Sequence, residues 1–317
     1  MWQPIAFITN PIETNINLPI KIGQHFLFRK ANSEEIDVIK NYISPSFAGG
    51  TMNQNPYEQY YKFKGESKSV GTLTNLDSTD FRYFVMQLEN IAGLNLLSEN
   101  PIDILQIASD LTDAELKFDL TIYQPKIATI KHNSLHKQTN TLKYLMFEHY
   151  NFTSTDLKEL EFLFNKVEEH YNHDELLTSS LSIYRLLQDS PDYHSYINLN
   201  YFALLEMLVT SRPGENDPSI SKQLKNKTKR ILELNNFNLC FGEYFIQSSE
   251  NNIWNKLYEY RCCLAHGSNA DFGKDLKKLK SEEVVFSYLK ELLKKLFKSY
   301  LLNITTASEI KMDLNFA

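Results

Sequence analysis

The stretch Ile253-Trp254-Asn255-Lys256-Leu257-Tyr258-Glu259-Tyr260-Arg261-Cys262-Cys263-Leu264-Ala265-His266-Gly267 decides how the second half of the chain is read. Ile253, Trp254, Leu257, Tyr258, Leu264 and Ala265 recur at three- and four-residue spacing, which predicts a helix with one apolar face. Arg261 falls inside that stripe. Burying a guanidinium without a partner is costly, so it must pair with an anion or look into a groove. Gly267, of the residue type that ends helices in the left-handed conformation, puts His266 in the last turn. Five residues turn a helix by about 140°, so Arg261 and His266 share a face only if the helix frays there. The last-turn carbonyls favour a protonated imidazole. An Arg to hold a phosphate and a His to move a proton are the minimum equipment for phosphodiester cleavage without a metal.

Helical periodicity extends on both sides of this stretch. Ser154-Thr155-Asp156 can cap a helix bearing Leu157, Leu160, Leu163, Phe164 and Val167. Leu176, Leu177, Leu181, Tyr184 and Leu187 line a second, stopped by Asp189-Ser190-Pro191, and Phe202, Leu205, Leu208 and Val209 a third, closed by Arg212-Pro213-Gly214. Pro218 starts a fourth, with Ile220, Leu224, Ile231 and Leu234 apolar and Lys222, Lys225, Lys227, Lys229 and Arg230 expected to be exposed. The Arg261/His266 helix is the fifth. The last runs from about Ser281 to Leu302. Six helices with short connections predict a bundle over residues 151–317. Glu206, four after Phe202 and three before Val209, flanks an apolar face. It could orient Arg261 or a catalytic His, or form a plain ion pair with a nearby Lys.

Residues 1–150 read as a mixed strand and helix domain, so the fold class expected for the whole is α+β. Strands are expected at Ile5–Thr9, His25–Phe28, Phe81–Met86 and Leu116–Ile122, with alternation again from Leu142 to Tyr150. Asn32-Ser33-Glu34-Glu35-Ile36 opens a short helix through Ile43. Gly49 to Gly71 reads as loop. This half shows no glycine-rich phosphate loop, nucleophile elbow or internal repeat, and a regulatory or substrate-guiding role is the expectation left for it.

Composition bounds the rest. The 42% hydrophobic content, with 18 Tyr and 20 Phe, is ample for packed interiors. No basic leader, long apolar run or disulfide framework is evident, and the three Cys suit a reducing compartment, so a cytoplasmic protein off the membrane is expected. The net charge of −6 is unevenly spread: residues 221–300 hold 15 Lys and Arg against 9 Asp and Glu, which leaves −12 on the remainder. A basic segment carrying the Arg/His pair suits an anionic ligand such as RNA, with Lys222, Lys225, Lys229 and Arg230 as phosphate contacts. No metal or other cofactor is expected. His132 and His136, and the cluster Glu168, His170, His173 and Asp174, read as surface groups, and the adjacent Cys262 and Cys263 as buried small hydrophobes.

Leu177 to Leu187, Tyr201-Phe202-Ala203-Leu204-Leu205-Glu206-Met207-Leu208, the basic helix from Ser221 to Leu232, and Leu257 to Gly267 together resemble the HEPN superfamily of all-helical ribonucleases, in particular its ApeA-like branch. The likeness covers roughly Ser154 to Leu302. It implies a HEPN-type bundle and a homodimer whose two R-x4–6-H motifs face one cleft. It implies a catalytic pair of Arg261 and His266, with Glu206 as the acid usual on the preceding helix. The chemistry implied is attack of a ribose 2′-hydroxyl on the adjacent phosphate, leaving a cyclic phosphate. Members commonly serve as toxins or antiphage effectors that cut RNA such as tRNA, which implies an antitoxin or trigger protein as a further partner. Cys262 departs from the pattern, which often has Asn, Asp or another polar residue after the Arg. A catalytically inactive module for dimerisation or RNA binding is the alternative.

Overall fold

The computed structural model describes residues 2–10, 12–47, 61–67, 70–75, 83–89, 101–130, 150–171, 173–188, 190, 194–211, 219–238 and 241–313 of the 317. Contacts divide the chain into two compact units, Met1–Asn165 and Lys166–Ala317. The fold is α+β, an antiparallel sheet region followed by a mostly helical part.

The first unit carries strands β1 (Ile5–Phe7), β2 (Ile12–Glu13), β3 (Ile20–Ile22) and β4 (Phe26–Lys30), then helix α1 (Ser33–Phe47). Strands β5 (Tyr61–Ser67), β6 (Val70–Asn75) and β7 (Phe84–Leu88) follow, then α2 (Pro101–Asp110), β8 (Leu120–Gln124), β9 (Ile127–Ile130) and β10 (Tyr150–Asn151). Six of the strands form one sheet in the order β3-β4-β7-β1-β8-β9, with each neighbour antiparallel. Period-two alternation explains its two faces. Phe7, opposite Val85 and Leu120, joins Ile5, Tyr83 and Ile122 against Ile39 and Ile43 of α1. Phe26 and Phe28 point to the other face, where Phe28 meets Phe84 and Phe152 and Phe26 meets Phe164 edge-on at 5.5 Å.

The start of α1 is fixed by a capping box. Glu35 N–H donates to Asn32 Oδ1 and Asn32 N–H to Glu35 Oε2, both at 2.9 Å. Arg29 grips the same buried carboxylate through both terminal nitrogens, at 2.8 and 2.6 Å.

Two expectations for this region change. The segment read as loop contains β5 and the start of β6, a hairpin pairing Tyr61 with Asn75 and Phe63 with Leu73. Tyr61 and Phe63 alternating with Lys62 and Lys64 carried that signal, but the Gly and Ser around them masked it. Helix α2 is a further departure from expectation, since eight of its ten residues are buried and an amphipathic stripe is therefore missing. The alternation expected from Leu142 lies outside the described residues except for Tyr150 and its neighbour in β10.

Helix α3 (Ser154–His170) passes from one unit into the other. Its cap is Thr153, whose N–H donates to Asp156 Oδ2 at 2.7 Å while Asp156 N–H returns to Thr153 Oγ1 at 3.4 Å. The second unit continues with α4 (Glu175–Gln188), α5 (His194–Val209), α6 (Ile220–Glu233), the single turn α7 (Phe241–Tyr244), α8 (Glu250–His266), a 3-10 turn (Lys277–Leu279), α9 (Glu282–Leu302) and α10 (Ile304–Met312). Helix α5 is its centre, with α4, α6, α8 and α9 all packed on it. Tyr201, Phe202, Leu204, Leu205, Leu208 and Val209 are all buried there, more than one stripe wide. The expectation that the helix ending at Leu302 is the last is corrected: Asn303 breaks the ladder and α10 folds back onto α6 and α9. Among the described residues no helix is long and apolar enough to cross a membrane.

Candidate functional site

Helix α8 buries Ile253, Trp254, Leu257 and Tyr260. This stripe runs one turn differently from the one read in the sequence: Tyr258 and Leu264 are half-buried and Ala265 is exposed. Arg261 stands at its edge. Its Nε donates to Glu206 Oε1 at 2.9 Å and its Nη2 to Glu206 Oε2 at 3.1 Å. The two side chains are only 27% and 20% exposed, so the pair is partly withdrawn from water. That hydrogen bond, outweighing burial, pushes the Arg261 pKa further up, and the side chain stays charged throughout the working pH range. Of the alternatives open for Glu206, the structure takes the one in which it orients Arg261.

A guanidinium has five N–H donors. Glu206 takes two, and no other side-chain hydrogen bond of Arg261 occurs among the described residues. The Nη1 edge remains for an anion, which is the arrangement a fork-shaped donor needs to hold phosphate.

The helix does not fray at its end. Gly267 adopts φ 66°, its N–H reaches Leu264 O at 3.4 Å, and Ser268 N–H reaches Cys263 O at 2.9 Å. These are the two closing bonds of a Schellman motif, and they keep the last turn regular through His266. Arg261 and His266 therefore leave the axis about 140° apart, so the fraying that would bring them onto one face of one chain is absent. His266 is exposed, and its side chain makes no hydrogen bond or ion pair among the described residues.

The residue before Arg261 belongs to a polar cluster that no local sequence pattern encodes. Tyr260, fully buried, donates its hydroxyl to Glu282 Oε1 at 2.7 Å and accepts from Asn198 Nδ2 at 3.2 Å. Ser195 Oγ also donates to Glu282 Oε1, and Asn198 Nδ2 reaches the Glu282 carbonyl at 3.3 Å. Burial, reinforced by the Glu282 carboxylate, pushes the Tyr260 hydroxyl well above the ordinary tyrosine range. The cluster ties the first turns of α5 and α9 to the residue next to Arg261. A first-turn acid behind the N-cap Ser281 was the only sequence signal for it.

The basic helix departs from expectation at Lys225 and Lys227. Lys222, Lys229 and Arg230 are exposed and Lys225 half-buried, and Lys222, Lys225 and Lys229 lie on one stripe. Arg230 is partly engaged by Glu233 at 3.3 Å. Lys227, expected on the solvent side, is buried: it falls three residues after Leu224 and four before Ile231, on the apolar stripe itself. Its Nζ donates to Gln223 Oε1 at 3.1 Å, Ser211 Oγ at 3.3 Å and the Lys311 carbonyl at 2.6 Å. Burial lowers its pKa.

Cys262 and Cys263 are half-buried and free, not buried as read, because the buried stripe passes beside them. Glu168, His170, His173 and Asp174 straddle the end of α3, and no group of three His, Cys, Asp or Glu placed to hold a metal occurs among the described residues. His132 and His136 lie outside the described residues. No protein-family model, curated protein or solved structure matches this chain. The likeness to the HEPN superfamily thus rests on the quoted residues alone.

Proposed function

We propose that this chain is an RNA endonuclease that needs no metal and acts as a homodimer through Arg261 and His266. The observation that carries the reading is the two-pronged Glu206–Arg261 pair, which fixes a guanidinium with its Nη1 edge unengaged on the helix that ends at an exposed imidazole. In the proposed step the ribose 2′-oxygen attacks the adjacent phosphorus, the bond to the 5′-oxygen breaks, and a 2′,3′-cyclic phosphate and a 5′-hydroxyl result. Arg261 neutralises the non-bridging oxygens as charge builds, and His266 carries a proton from the 2′-hydroxyl or to the leaving 5′-oxygen. Glu206 is a positioning residue. Because the two side chains diverge on a regular helix, a complete site combines Arg261 of one copy with His266 of the other.

Lys222, Lys225, Lys229 and Arg230 would supply salt-dependent contacts along the RNA backbone. A toxin or antiphage role, a tRNA substrate, a controlling antitoxin or trigger, and a regulatory first unit follow from the family likeness, and a place in the cytoplasm from the cysteine usage. The 140° divergence favours a second reading, a non-catalytic module that dimerises or binds RNA. Incubating the dimer with total RNA in EDTA separates the two: the nuclease reading expects cyclic-phosphate ends, lost in His266→Ala, and intact RNA leaves the second reading.

A further inference from the structure

A cavity of about 460 Å³ opens at the end of α8, lined by Ser195, Leu264, Ser268, Asn269, Phe272 and Glu282 among others. That volume falls within the range of small-ligand sites. Leu264 follows Arg261 by three residues, one helical turn, so the cavity opens on the face of α8 that carries Arg261.

The chemistry of the lining is specific. Both hydroxyls that reach Glu282, from Tyr260 and Ser195, go to Oε1. Oε2 accepts nothing among the described residues, although the side chain is held in place by its other oxygen. Glu283 adds a second carboxylate, itself 4.0 Å from His194. Asn269 offers an exposed amide with no hydrogen bond among the described residues. Phe272, edge-on to Tyr260 at 5.3 Å, supplies an aromatic surface. Carboxylates only accept, and an aromatic wall with a few convergent polar groups is how unstacked bases are bound.

We propose that this cavity holds a guanine base of the RNA, next to the linkage cut. Guanine places two donors, N1–H and the N2 amino group, side by side, matching the two acceptors that Glu282 Oε2 and the neighbouring Glu283 carboxylate offer, and its O6 can accept from the Asn269 amide. Uracil puts carbonyls on both sides of its single N–H, which a carboxylate repels. Adenine and cytosine set one amino group beside an acceptor nitrogen.

This inference rests on the nuclease reading for its place next to the cut, so the test separates binding from cleavage. Four oligonucleotides differing at one base are made twice, all-ribo for cleavage and with 2′-deoxy sugars for binding without cleavage. The wild-type protein is expected to prefer guanine by roughly tenfold in both. Glu282→Gln keeps a carbonyl oxygen for Tyr260 and Ser195 but turns the free acceptor into a donor, and the preference is expected to vanish. Should that variant lose its circular dichroism signature, the exposed Asn269→Ala serves in its place, with a partial loss of preference expected. Equal handling of the four bases by wild type, or an unchanged preference in the variants, overturns the inference. Guanine-selective binding without cleavage supports the cavity and removes the nuclease; no RNA binding at all removes both.

Discussion

Glu206 and Arg261, fifty-five residues apart in sequence, meet through two hydrogen bonds of 2.9 and 3.1 Å between α5 and α8. Such a pair both stabilises and orients. Glu206→Ala and Arg261→Ala are each expected to cost about 1–2 kcal/mol, reduced from a fully buried pair because water reaches both groups. Denaturant melts of the singles and the double should give a coupling of about 1 kcal/mol. Additive losses would mean the pair is not formed in solution.

Tyr260 provides a pH-dependent readout of its cluster with Glu282, Asn198 and Ser195. Its folded-state pKa lies above the unfolded one, so its contribution is complete below about pH 10 and is lost as pH rises through the folded value. Tyr288 and Tyr300 titrate in the same direction, so the informative quantity is a difference. Tyr260→Phe is expected to lower stability by about 1–3 kcal/mol at pH 7 and to flatten the alkaline slope relative to wild type. Parallel slopes would place the Tyr260 hydroxyl in water.

Lys227 and its neighbours on α6 should separate cleanly. Lys227→Met takes away the donor to the Lys311 carbonyl and one of the donors to Gln223 Oε1, which keeps those from Ser211, and about 1–3 kcal/mol of stability is expected to go. Lys222→Met and Lys229→Met should change stability by less than about 0.5 kcal/mol. Each should instead lower the salt slope of RNA binding by about one. A Lys227 variant that weakens RNA binding with unchanged melting would reverse the assignment.

Gly267 tests whether the end of α8 is as closed as the hydrogen bonds indicate. A Cβ there meets nothing within 4 Å, so the penalty for Gly267→Ala is purely conformational, about 1 kcal/mol by thermal melting. Gly267→Asn should cost less, since Asn tolerates the left-handed region. Equal costs would point to a contact instead of backbone geometry.

The α+β class was legible because period-two and period-3.6 patterns occupy different halves of the chain. Phe7 opposite Val85, and Leu289, Leu292 and Leu296 along α9, are where local pattern and burial agree. Helix α2 is illegible because burial on nearly all sides erases the stripe, and Lys227 misleads because a lysine's polarity argues for solvent while its position between Leu224 and Ile231 puts it inside. For the site, the spacing of Glu206 and Arg261 on apolar faces suggested a partner for a stranded guanidinium, and the fold supplies it. The Tyr260–Glu282 bond spans twenty-two residues and two helices, a relation no local pattern encodes.

A reacting site that draws Arg261 and His266 from different copies can be rebuilt from two dead variants. Arg261→Ala and His266→Ala, each inactive alone, are co-expressed and assayed for RNA cleavage in EDTA. Random pairing makes half the dimers mixed, each with one complete site of two, so about a quarter of wild-type activity is expected to return. No recovery beside an active wild type would place the site within one chain, and RNA left intact by the wild type itself would contradict the nuclease account altogether.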